Sequence, residues 1–195
     1  MKTAFIINIK NMDNFAPAGV LEMSLKENFN DSPIYFITDN DEILDLCDKI
    51  NLKTIEYNEI TNDYDKIVYM ESFHLVYNYI ENLFELPHLT SNKTNTIIIL
   101  ETNKIDNLHF NGNKKMNDKY DNLVEELDTM VSNGKQFSRD FHIINFMNKK
   151  PWNREKYLKP NMLRAARDWV KNWIKIENNY PDENLDKFFK SSEDV

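Results

Sequence analysis

From Thr3 to Tyr57 the chain alternates strand, helix, strand, helix and strand, and that order restricts the fold more than any other feature. Thr3 to Ile9 is a near-continuous apolar run, the pattern of a central strand buried on both faces. A polar loop, Asn11 to Asn14, leads into a helix from about Phe15 or Pro17 to Asn28, with Val20, Leu21, Ser24 and Leu25 on one face. Pro33 opens a second strand, Ile34 to Ile37. Asp39 is the expected cap of a second helix carrying Ile43, Leu44, Leu46, Cys47 and Ile50. Lys53 to Tyr57 reads as a third short strand. Such spacing predicts right-handed crossovers and a mostly parallel sheet in a three-layer α/β/α sandwich.

The next stretch, Tyr64 to Leu86, holds a strand at Lys66 to Met70, a polar break at Glu71 and Ser72, and apolar residues at Leu75 and Val76. A short helix with Ile80, Leu83 and Phe84 on one face closes it. Ligands of α/β proteins gather where strands end, so Glu71 stands at a candidate site. Asn95 to Leu100 reads as another buried strand, Asn103 to Lys115 as a polar loop, and Asn117 to Ser132 as a helix. Asp140 to Phe146 is the last expected strand, with His142 on the opposite parity to Asn145. A final helix, Asn161 to Glu177, carries Met162, Ala166, Trp169, Val170, Trp173 and Ile174 as an apolar stripe. Arg164, Arg167, Lys171 and Lys175 lie opposite.

Composition removes whole classes of function. With only 3 glycines, Walker and dinucleotide phosphate loops are excluded. A formal charge of -8 argues against a nucleic-acid binder. The single Cys47 has no disulfide partner within the chain and sits among apolar neighbours, as a buried thiol would. No apolar run reaches the length of a membrane span. The first residues read as a strand rather than a signal peptide, so a cytoplasmic protein is the expectation.

The Glu71 stretch resembles glycosyltransferase family 8, the glycogenin-like sugar transferases. There the same place reads roughly Tyr-Leu-Asp-Ala-Asp-Thr-Leu-Val before an Ile-Asp-Glu-Leu-Phe helix. The opening, Ala4 to Lys26, is also similar, with Asn11, Phe15 and Ser24-Leu25-Lys26 in matching places. Met147 to Asn153 resembles the closing signature His-Phe-x-Gly-x-x-Lys-Pro-Trp, one residue shorter, with Lys150-Pro151-Trp152 kept. The likeness runs from Ala4 to Asn153. It implies a GT-A-type, Rossmann-like fold over residues 1–178, followed by a polar tail over residues 179–195. It further implies nucleotide-sugar binding by Asn11, Phe15, Glu71 and Lys150, with the Phe15 ring on the base and Lys150 on the diphosphate. The alternative for Phe15 is a hydrophobic staple of its own helix.

The family's metal ligands, two Asp and a His, fall on Glu71, Phe73 and Asn145. Only Glu71 keeps an anionic oxygen, and one carboxylate holds a divalent ion weakly. His74 would point away from the strand face that Phe73 uses. The family's Asn-Ser-Gly turn and its Asp-Gln acceptor segment have no counterpart. The resemblance with these losses implies a degenerate relative without Mn2+, kept for binding, scaffolding or assembly. Its partner would be a second copy in a homodimer, or another protein. The alternative is an active, metal-independent transferase using a UDP-sugar.

Overall fold

The computed structural model describes residues 1–29, 31–79, 83–88, 90–91, 96–104, 114–115, 124–126, 142–146 and 160–180. Strand β1, Thr3–Asn8, lies between two parallel neighbours, β2 (Ile34–Ile37) and β3 (Lys66–Glu71). Phe5 pairs with Ile34 on one side and with Val68 on the other. Ala4 through Ile7 are all 0% exposed. Side-chain alternation sends Phe5 and Ile7 to one core cluster and Ala4 and Ile6 to a second. Both faces of β1 are therefore covered, which is why its apolar run is unbroken.

Helices α1 (Phe15–Asn28) and α2 (Asp41–Lys49) contribute Val20, Leu21, Ile43 and Leu46 to the Phe5 cluster. Helix α3, Tyr57–Asp63, buries Ile60 in the opposite cluster with Ile6, Tyr69 and Leu100. The layers follow from the path of the chain. From β1 it moves outward to β2 and on to Thr54, which bridges Phe36 in parallel beyond β2. It then returns by α3 to β3, on the other side of β1. Right-handed crossovers running in opposite directions put their helices on opposite faces. A helix layer, a sheet and a second helix layer result, as the sequence pattern predicts.

Three local expectations are corrected in this half. The strand expected at Lys53 to Tyr57 is reduced to the single Thr54 bridge, and Tyr57 instead opens α3. The cap of α2 is Asn40, not Asp39: its Oδ1 accepts the N–H groups of Glu42 and Ile43 at 2.9 and 3.2 Å. The polar sequence from Asn58 to Asp65 predicts a short crossing without structure of its own, yet residues 58–63 are helical, with Glu59 accepting the N–H of Glu56 at 2.9 Å.

Beyond β3 the sheet continues through antiparallel β6 (Ile97–Glu101), then β5 (Thr90–Ser91) and β7 (Lys114–Lys115), in the order β2-β1-β3-β6-β5-β7. Lys114 and Lys115, expected in a loop, are thus paired to β5. A smaller sheet has β9 (Ile143–Asn145) at its centre, antiparallel to β4 (His74–Val76) and parallel to β8 (Val124–Glu126). Strand β8 overturns the helix expected over Asn117 to Ser132. The backbone pairing that β9 offers is a non-local gain that overrides local helix propensity in Val124-Glu125-Glu126. The short helix expected at 80–86 is a 3₁₀ turn at Leu83–Glu85, its first residues lying outside the described ones.

Helix α4, Pro160–Asn179, packs on α1 with Trp169, Trp173 and Ile176 buried. Ile174, expected in the apolar stripe, is instead 47% exposed. The side chains of Met162, Arg164 and Ala166 lie outside the described set, as do residues 181–195 of the expected tail. Cys47 is fully buried, and desolvation pushes its thiol up to about 12. That thiol is inert packing.

Candidate functional site

Because β2 and β3 lie on opposite sides of β1, the carboxyl ends of β1 and β3 form a topological switch point, the edge at which α/β proteins place ligands. Asn8 and Glu71 are register partners at that edge. The candidate site is built from the loop after β1, the end of β3, the turn into β4 and the start of β6.

Glu71 is the anionic group there. Its side chain is 12% exposed, and its Oε1 accepts from the Lys10 ammonium at 2.9 Å. The same oxygen lies 3.4 Å from the Tyr69 hydroxyl, which donates to it. Burial, reinforced by the Glu71 charge, pushes the Tyr69 phenol well above its ordinary value, so it remains a neutral donor. Lys10 reaches Glu71 from the loop following β1 and leaves 61% of its side chain in solvent.

Past Glu71 the chain turns through Ser72 and Phe73 and begins β4 at His74. His74 is 0% exposed. Its Nδ1 lies 2.7 Å from the Glu71 carbonyl, which only accepts, so Nδ1 carries the proton. Its Nε2 then accepts from the Thr96 hydroxyl at 3.0 Å. Burial lowers the imidazole to about 4, against the modest opposing effect of the Glu71 carbonyl. This is a neutral, fixed histidine. Across the small sheet it pairs with Asn145, which is 2% exposed. Phe73 sits against the core, its carbonyl accepting the Phe146 N–H at 2.8 Å. Its ring stacks on His74 with centroids 5.3 Å apart. The expectation that His74 points away from Phe73 is corrected: Phe73 belongs to the turn, where strand parity does not apply. His142 likewise precedes β9 rather than lying in it, and its carbonyl accepts the Tyr77 N–H at 2.7 Å.

The remaining sequence-predicted residues are placed as follows. Asn11 is exposed in the loop directly after Lys10, its carbonyl accepting the Asn14 N–H at 3.0 Å. Phe15 opens α1 and is 1% exposed within the core cluster, so no face of its ring is open to a base. Lys150 lies outside the described residues. The structure thus gathers Glu71, Phe73 and Asn145 around one turn, and adds three residues that sequence reasoning missed in these roles: Lys10, His74 and Thr96. Only Lys10 left a signal, a cation at the exit of the first strand.

This donor set does not fit a divalent ion. The one carboxylate is already neutralised by an ammonium, Phe73 has only carbon to offer, and both His74 nitrogens are engaged within the protein. Among the described residues no three His, Cys, Asp or Glu side chains converge as metal ligands. A depression beyond β2 is lined by Asp39, Asp48, Glu56 and Glu59 together with two threonines and apolar residues, and by no base. Its four carboxylates disfavour an anion there.

Solved structures similar to this chain include glycosyltransferases. GlyE of Streptococcus pneumoniae TIGR4 superposes with a TM-score of 0.56 at 14% identity, over 93% of this chain and 64% of GlyE. The galactosyltransferase LgtC, solved with donor and acceptor sugar analogs, gives 0.57 at 9% identity over 88% of this chain and 95% of its own. The bifunctional WbbM gives 0.51 at 10% identity, over 91% of this chain and 51% of WbbM. The chain therefore spans less than two thirds of GlyE and about half of WbbM. At such identities the likeness shows the fold: mixed α/β of the GT-A glycosyltransferase type. No family model matches the sequence, and no curated protein does.

Proposed function

We propose that the chain is a degenerate relative of the family 8 glycosyltransferases, without metal-dependent sugar transfer and retained for binding, scaffolding or assembly. The Lys10–Glu71 ion pair carries this reading. Metal-dependent transfer needs an ion to neutralise the leaving diphosphate. Here the carboxylate that would hold that ion is paired with the Lys10 ammonium, and the neighbouring ligand positions are Phe73 and Asn145. As a binding protein it would engage a second copy of itself or another protein, with a UDP-sugar as the small molecule its fold accommodates.

Incubation with UDP-glucose or UDP-galactose and manganese tests the proposal. Donor hydrolysis and transfer should stay at the level of a protein-free control, and be the same with chelator. Manganese-dependent turnover that disappears in Glu71→Ala would overturn it. One observation favours a second reading, a metal-independent transferase: the site offers its own exposed cation in Lys10. Turnover that persists undiminished in chelator would select that reading.

A further inference from the structure

We infer that the Lys10 ammonium is the diphosphate-binding cation of this site, held on Glu71 until an anion takes it. The inference rests on the nucleotide-sugar reading of the fold and names the group that would recognise the phosphates. Lys10 stands on the loop leaving β1, at the switch point where α/β proteins place ligands. Its side chain is 61% exposed although its Nζ is 2.9 Å from Glu71. An exposed stem can swing to a ligand while the largely buried carboxylate stays behind, still bonded to Tyr69. The chain after Lys10 passes through a 3₁₀ turn, Met12–Asn14, and enters α1. Asp13 stands in that turn, and the first turn of α1 itself carries no acidic residue. With no set of metal ligands among the described residues to fit a divalent ion, Lys10 is the described cation in contact with the Glu71 carboxylate.

Competition between Glu71 and the ligand for one ammonium makes the proposal testable in both directions. The probes are inorganic pyrophosphate and uridine diphosphate, titrated calorimetrically in chelator and again with manganese. Lys10→Ala should weaken both by about tenfold or more, the effect of losing a charge-assisted contact. Glu71→Gln should tighten both, by roughly two- to fivefold, because a partly exposed ion pair no longer competes. Metal should change neither. Pyrophosphate alone separates phosphate recognition from recognition of the nucleoside. Unaltered binding in Lys10→Ala, a loss in Glu71→Gln as large as in Lys10→Ala, or no binding of either probe at millimolar concentration would each overturn the inference. Thermal melting of the three proteins confirms that both variants fold. Failure here is distinct from failure of the proposed function, which falls on manganese-dependent turnover.

Discussion

Lowering the pH from 7 to 4 should destabilise the folded chain through His74, by about 3 kcal/mol from this one side chain. Its imidazole titrates near 4 in the fold and near 6.5 when unfolded. Between those values the unfolded chain binds the extra proton and the folded chain does not. Stability from this group is therefore fully present above 6.5 and is lost as the pH falls toward 4. The cause is geometric: a 0% exposed ring whose Nε2 accepts from Thr96 would have to give up that bond to carry a charge. Glu22 acts with the opposite sign, since burial raises its carboxyl and a group that takes up protons in the fold favours acid. The measurement must therefore be a difference. Denaturant unfolding of the unmodified chain and of His74→Gln, from pH 7.5 to 4, shares every other group. The gap between the two proteins should shrink with acid, by an amount equal to 10 °C or so in melting temperature. Parallel profiles would show that His74 does not titrate as the geometry requires.

The elements visible in the sequence were those whose signal is local. β1, β3 and β6 carry continuous apolar runs because both of their faces are covered. Helices α2 and α4 carry an apolar face, whereas α1 is buried on nearly every side from Phe15 to Glu22. Helix α3 was hidden because a single residue, Ile60, anchors it and a pair of glutamates caps it. β8 was hidden because nothing in Val124-Glu125-Glu126 announces a strand; its pairing with β9 does. The candidate site divides the same way. Glu71 was legible as a carboxylate at a strand exit, whereas its partner Lys10 comes from the loop after another strand and only the parallel register brings them together. His74 was misjudged because strand parity was applied across a turn. Phe15 lay in the expected place in the chain, but the fold buries its ring in the core.

Trp173→Ala should be the most damaging single truncation on α4, costing about 3–5 kcal/mol. That is a large share of a total stability that is ordinarily about 5–15 kcal/mol, so the variant should melt roughly 6–20 °C lower. Trp173 is 2% exposed, stacks on Trp169 with ring centroids 6.2 Å apart, and its indole N–H donates to Glu177 at 2.7 Å. Truncation therefore removes a filled volume and a buried donor's bond together. Relief is hard to find, because the opposing surface is Gly19 of α1. A Cβ built there would lie 3.2 Å from Ile176 and 4.0 Å from Trp173, so α1 and α4 pack closely at this glycine. The control is Ile174→Ala. Sequence periodicity places Ile174 in the same stripe, yet it is 47% exposed and its truncation should cost no more than about 0.5 kcal/mol. Paired melts of the two variants measure the difference between being next to the stripe and being in it. Equal losses would mean that α4 is rotated on α1 from the orientation described, and that Ile174 shares the burial assigned to Trp173.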